Sequence, residues 1–130
     1  MEKVDTQNME RQTNAMLAEA LAELARLEDG WYEGKGKAPD KDKLAWVTGQ
    51  LVENFPVDLP YPHFGPTPEG GLFLEWIHKP WRISAEFMLP GSQCEMQAVN
   101  TDTGYSIDKD CDLVQPAQWT ELFEFVRKHI

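Results

Sequence analysis

Apolar and polar residues alternate most regularly between Leu72 and Met88. Leu72, Leu74 and Trp76 alternate with Phe73, Glu75 and Ile77. After a break at His78-Lys79-Pro80, Trp81, Ile83, Ala85 and Phe87 alternate with Arg82, Ser84, Glu86 and Met88. Successive side chains leave a strand on opposite sides, so this period of two predicts a hairpin with one buried face. Both faces of the hairpin are rather apolar, which leaves the choice between Trp76 and Phe73 as the inward residue open. Pro90-Gly91 marks a turn. Cys94, Met96 and Ala98 then alternate with Glu95, Gln97 and Val99 as a third strand. Asn100 to Gly104 reads as a hairpin loop. Tyr105 and Ile107 start a fourth strand, and Asp108 to Asp112 then turns polar. Before the first hairpin, prolines at 60, 62, 66 and 68 leave room for one short edge strand near His63-Phe64.

On either side the period changes to that of a helix. From about Met9, Leu17, Leu21, Leu24 and Leu27 recur at spacings of three and four, and Asp29-Gly30 reads as the stop. Met1 to Asn8 is polar and expected to fray. Asp40 is a good N-cap for a second helix with the stripe Leu44, Val47, Leu51 and Phe55, ended by Pro56. Pro116 opens a last helix with the stripe Trp119, Leu122, Phe123, Val126 and Ile130. The expected fold is therefore α+β: two N-terminal helices, an antiparallel meander of about four strands, and a C-terminal helix. The helices pack on one sheet face. Trp76, Trp81, Phe87, Leu51, Trp119 and Phe123 are the expected core.

Composition adds limits to this outline. A chain of 130 residues with 42% hydrophobic residues suits a single domain spanning 1–130. Lys and Arg number 12 against 22 Asp and Glu, a net charge of −10. That balance disfavours direct nucleic-acid binding and anionic membrane surfaces, both of which need clustered cations. It favours solubility, and a basic protein as partner. The N-terminus has no apolar core of a signal peptide, and no apolar run reaches the length of a membrane span. A cytoplasmic location with Cys94 and Cys111 reduced is the expectation.

Two stretches carry a resemblance. Leu27-Glu-Asp-Gly-Trp-Tyr-Glu-Gly-Lys-Gly-Lys-Ala-Pro39 and Pro66-Thr-Pro-Glu-Gly-Gly-Leu-Phe-Leu-Glu-Trp76 together resemble a group of short, acidic, uncharacterised bacterial proteins. That group has a DGW-glycine-rich-AP loop and a later TP-(D/E)GG-hydrophobic-x-LEW hairpin. The similarity spans about Leu17 to Phe87. This chain departs from it at Tyr32, where the group mostly has Asp or Asn. The resemblance implies a fold and a bacterial origin, and no catalytic residues.

No motif in the chain specifies a reaction. Gly34-Lys35-Gly36-Lys37 follows a helix rather than a strand and sits among Asp29 and Glu33, so it does not suit phosphate. A flexible loop is the simpler account. Trp31 and Tyr32 beside it are either a recognition pair or, for Trp31, a core anchor. Asp108, Asp110 and Asp112 could share a strand face, but Leu113 and Trp119 stand where a calcium loop needs Gly and Glu. A solvated edge that discourages strand pairing explains them better. His63, His78 and His129 lack ligand spacing. Glu75, Glu86 and Glu95 are expected on the sheet face left open by the helices. There they are either a wet surface or a binding surface. No catalytic residue, cofactor or metal is expected.

The function expected from this profile is a small acidic protein-binding module. It would be an inhibitor, antitoxin, immunity or anti-defence protein acting on a basic partner, in one version as a nucleic-acid mimic. The expected contact residues are Glu75, Glu86, Glu95, Trp31 and Tyr32. A secretion-type chaperone and an enzyme of unrecognised class are the alternatives.

Overall fold

The computed structural model describes residues 2–130; Met1 and the side chains of residues 2–7 and 10 lie outside the described residues. The order is α1 (Glu2–Leu24), α2 (Lys41–Asn54), β1 (His63–Pro66), β2 (Leu72–His78), β3 (Trp81–Met88), β4 (Gln93–Asn100), β5 (Ser106–Asp112) and α3 (Pro116–Arg127). The five strands form one antiparallel sheet in sequence order, so each strand pairs with the next through a local connection. The meander has five strands rather than about four, because the proline-rich stretch does supply β1.

The buried face follows from the alternation. Leu72, Leu74 and Trp76 of β2, Ile83, Ala85 and Phe87 of β3, Cys94, Met96 and Ala98 of β4, and Cys111 of β5 are all buried. They form one continuous core with Leu17 and Leu21 of α1, Leu44, Val47 and Leu51 of α2, and Trp119, Leu122 and Phe123 of α3. Trp76, not Phe73, is the inward residue; burial is possible because its indole N–H donates to the Pro60 carbonyl at 2.8 Å. Trp119 meets the same requirement by donating to the Leu113 carbonyl at 3.0 Å. Trp81 lies on the expected face but only half-buried, at the open end of α3, with its ring 4.6 Å from that of His129.

Several boundaries move. α1 starts at Glu2, not Met9, and the expected fraying of residues 1–8 rests in part on atoms outside the described residues. α1 also ends at Leu24, five residues before Asp29. β5 continues through the polar run to Asp112, and Tyr105 falls outside it, exposed. α2 keeps its expected start: the Asp40 carboxylate accepts from the Lys43 N–H at 3.0 Å. Phe125 is a buried residue of α3, whereas Ile130 is exposed.

The turn into β2 is held by its own side chains. Gly71 N–H donates to the Thr67 hydroxyl at 2.9 Å. Any Cβ at Gly71 would stand 2.3 Å from the Phe87 carbonyl oxygen, so only glycine lets β2 and β3 close here.

Candidate functional site

Among the described residues, no helix covers the second face of the sheet. Its residues follow from the pairing register. Phe73, Glu86, Glu95 and Asp110 form one row across β2 to β5, and Glu75, Ser84, Gln97 and Asp108 the next. Glu86 is directly opposite Glu95, which is directly opposite Asp110. Facing side chains on adjacent strands are about 4.5–5.5 Å apart at Cβ, and like charges so placed destabilise a sheet. Ser84, Glu86, Glu95, Gln97, Asp108 and Asp110 line a shallow depression of about 430 Å³.

The surroundings of this row do little to offset its charge. Lys109 alternates to the helix side, where it pairs with Glu121 of α3. Arg82 shares the open face but sits in the row with Ile77 and Val99, and among the described residues it makes no ion pair. Glu86 is half-buried, and its carboxyl is raised above the usual glutamate range. Burial is the main cause; the charges of Glu95 and Glu69 add to it.

Other expected contacts separate from this row. Glu75 lies on the same face but opposite Ser84 and His63, without a carboxylate directly across from it. Asp112 shares the face with Asp108 and Asp110, yet its carboxylate is occupied. It accepts from the Ser92 hydroxyl at 2.7 Å and the Val114 N–H at 3.2 Å, and the Ser92 bond in particular holds it below the usual aspartate range. Asp108 and Asp110 therefore belong to the acidic surface together with the glutamates. Their place follows from the register across the Asn100–Gly104 loop, which alternation alone does not fix.

The second candidate, the loop between α1 and α2, is ordered by its own bonds and is not the flexible connector expected. Gly30 N–H donates to the Gly36 carbonyl at 2.8 Å, and Tyr32 and Lys35 bond each other's backbones at 2.7 and 2.8 Å. Asp29 does not stop a helix; its carboxylate accepts from the Ala38 N–H at 2.9 Å, closing the loop. Trp31 does not reach the core. Its indole donates to the Lys37 carbonyl at 2.9 Å and lies against Gly36, with the exposed Tyr32 ring edge-on at 5.6 Å. Lys37 N–H then donates to the Pro68 carbonyl at 2.8 Å. The loop thus packs on the turn that leads into β2.

The three histidines lie on or beside separate elements. His63 is on β1, His78 ends β2, and His129 follows α3. Among the described residues no group of three His, Cys, Asp or Glu is placed to hold a metal ion. Cys94 and Cys111 are paired across β4 and β5, both buried as free thiols, and burial pushes both above the ordinary thiol range. Among the described residues no helix is long and apolar enough to cross a membrane. Comparisons with protein-family models, with curated proteins and with solved structures find no match.

Proposed function

We propose that this chain is a protein-binding module that docks a basic partner on the open face of its sheet. One observation carries the reading: Glu86, Glu95 and Asp110 stand in register on three adjacent strands, and among the described residues none of them pairs with a cation. This row costs the free protein stability. A cationic partner removes that cost on binding, and the surrounding negative field speeds encounter. An inhibitor, antitoxin or immunity protein of a basic target fits this description. The mimicry of a nucleic-acid backbone is its narrower form.

The test uses the tagged chain to isolate its partner from the source cell, and then measures association at low and high salt. The triple variant Glu86→Gln, Glu95→Gln, Asp110→Asn should associate more slowly, with a weaker salt dependence. An on-rate indifferent to both changes would sink the reading. Recognition would then pass to the loop from Asp29 to Ala38, whose internal bonding holds Tyr32 out in solvent.

A further inference from the structure

The sheet has two edges, and they are built differently. β1 has four residues, ends in Pro66, follows Pro62, and is flanked by Tyr61, whose hydroxyl donates to the Met16 carbonyl of α1 at 3.0 Å. Proline withholds a donor, so this edge is closed to a further strand. β5 has seven residues and no proline. Its backbone parity follows from the bonds at its two ends. Asn100 N–H donates to the Tyr105 carbonyl at 2.7 Å, and Leu113 N–H to the Ser92 carbonyl at 2.9 Å, in one unbroken register. In an antiparallel ladder such pairs recur every second residue, so Ile107, Lys109 and Cys111 spend their backbone groups on β4. The N–H and C=O of Asp108 and Asp110 then point away from the sheet, and among the described residues no other backbone group meets them.

Side chains beside that edge also differ by face. Asp108 and Asp110 rise on the acidic open face. On the other side, a cavity of about 290 Å³ lies between β5 and α3, with Ile107 and Phe125 as its apolar lining and Lys109, Glu121, Lys128 and His129 around them.

We propose that β5 is the docking edge for an extended segment of the basic partner, which adds as a sixth strand by β-augmentation. This rests on the function proposed above. The added strand bonds the free backbone groups of Asp108 and Asp110. Its residues opposite those two project over the open face, where Lys or Arg meets Asp108, Asp110 and, one strand further, Glu95. The residues between them project towards α3, where a medium-sized apolar side chain such as Val fits against Ile107 and Phe125. The segment recognised is thus one in which basic and apolar residues alternate. A second copy of this chain does not suit the edge. In an antiparallel pairing of two β5 strands, registers with substantial overlap set aspartates opposite aspartates.

The test uses two capped heptapeptides of equal composition. One alternates, Lys-Val-Lys-Val-Lys-Val-Lys; the other groups its lysines and valines. Binding is titrated by NMR, and amide hydrogen exchange is read at each β5 residue. The alternating peptide should bind about tenfold tighter or better and slow exchange at Asp108 and Asp110. Asp110→Lys, at an exposed position, should weaken that binding by about tenfold while the spectrum stays folded. Equal binding of both peptides, with shifts centred on Glu86 and Glu95 and no protection of the β5 amides, would overturn the edge proposal and leave the acidic face as the site. Binding of neither peptide would overturn the edge proposal and the acidic-face reading together. Protection of Asp108 and Asp110 in the free chain that grows with its concentration would overturn it in favour of self-pairing.

Discussion

The two faces of this sheet are made by the same five strands and obey opposite rules. On the helix-covered face, facing residues complement one another: Leu72 meets Phe87, Leu74 meets Ala85, and Trp76 meets Ile83. Where a polar atom is buried there, it is bonded, as both indoles are. On the open face, Glu86 meets Glu95 and Glu95 meets Asp110. The first face accounts for why the chain folds. The second opposes folding slightly, and nothing in the fold requires it, since Gln or Thr at these positions would satisfy the same strands. Local conflict of this kind, confined to one surface, is where function is to be sought.

The largest effect should come from breaking the covered face. Phe123 is buried against Phe55, ring to ring at 5.4 Å, and beside Trp119. Phe123→Ala should cost about 3–5 kcal/mol in urea unfolding by leaving a cavity between α2 and α3. A loss under about 1 kcal/mol would mean that α3 is not docked as described. A smaller loss should follow Gly71→Ala. The added methyl meets the Phe87 carbonyl at 2.3 Å, a backbone atom that yields only by moving β3. The expected cost is about 1–3 kcal/mol, as for other overpacked sites. An unchanged melting temperature would show that the β2–β3 pairing is looser at this end.

The covered face was legible in the sequence because its signal is periodic. A period of two marks β2 to β4, and a period of 3.6 with Asp40 and Pro116 as start signals marks α2 and α3. The parts that were not legible are those decided by distant bonds. Asp29 looked like a helix stop, but its partner is Ala38, reached only once the loop closes. β5 looked too polar to be a strand beyond Ile107, because an edge strand with one wet face needs few apolar residues; Cys111 alone is buried on it. The open-face glutamates were placed on the right side by alternation. Which of them face each other depends on the register through two turns, so alternation alone does not separate Glu75 from Glu86 and Glu95 or join Asp110 to them.

On the open face the expected changes reverse sign. Glu86→Gln should stabilise the free protein by about 0.2–1 kcal/mol at neutral pH, because it removes a half-buried charge that also faces Glu95. The pH dependence supplies a check. The Glu86 carboxyl is raised in the folded state, so its favourable contribution is present below the ordinary glutamate value and is lost as pH rises through the folded value. Asp58, Asp112 and Glu121 are lowered, each by a bonded partner, and act in the opposite sense. The difference between wild type and Glu86→Gln cancels those three. It should be largest at neutral pH and fade on acidification, as thermal melts at several pH values would show. A gain that persisted below the ordinary glutamate range would point to packing, not charge, as its cause.

The smallest effect separates two residues of the same type on the same face. Glu75 carries the same charge as Glu86 and was expected to act with it. Its cross-strand neighbours, however, are Ser84 and His63. With no carboxylate directly opposite, Glu75→Gln should stay within about 0.5 kcal/mol of wild type, the usual range for a surface change that breaks no specific contact. The measurement is a pair of urea unfolding curves run beside Glu86→Gln. If the two substitutions stabilised equally, the conflict on the open face would be the diffuse consequence of a net charge of −10. Register would then have no part in it. A flat Glu75→Gln beside a stabilising Glu86→Gln would place the conflict in the row of Glu86, Glu95 and Asp110, where the proposed partner is held.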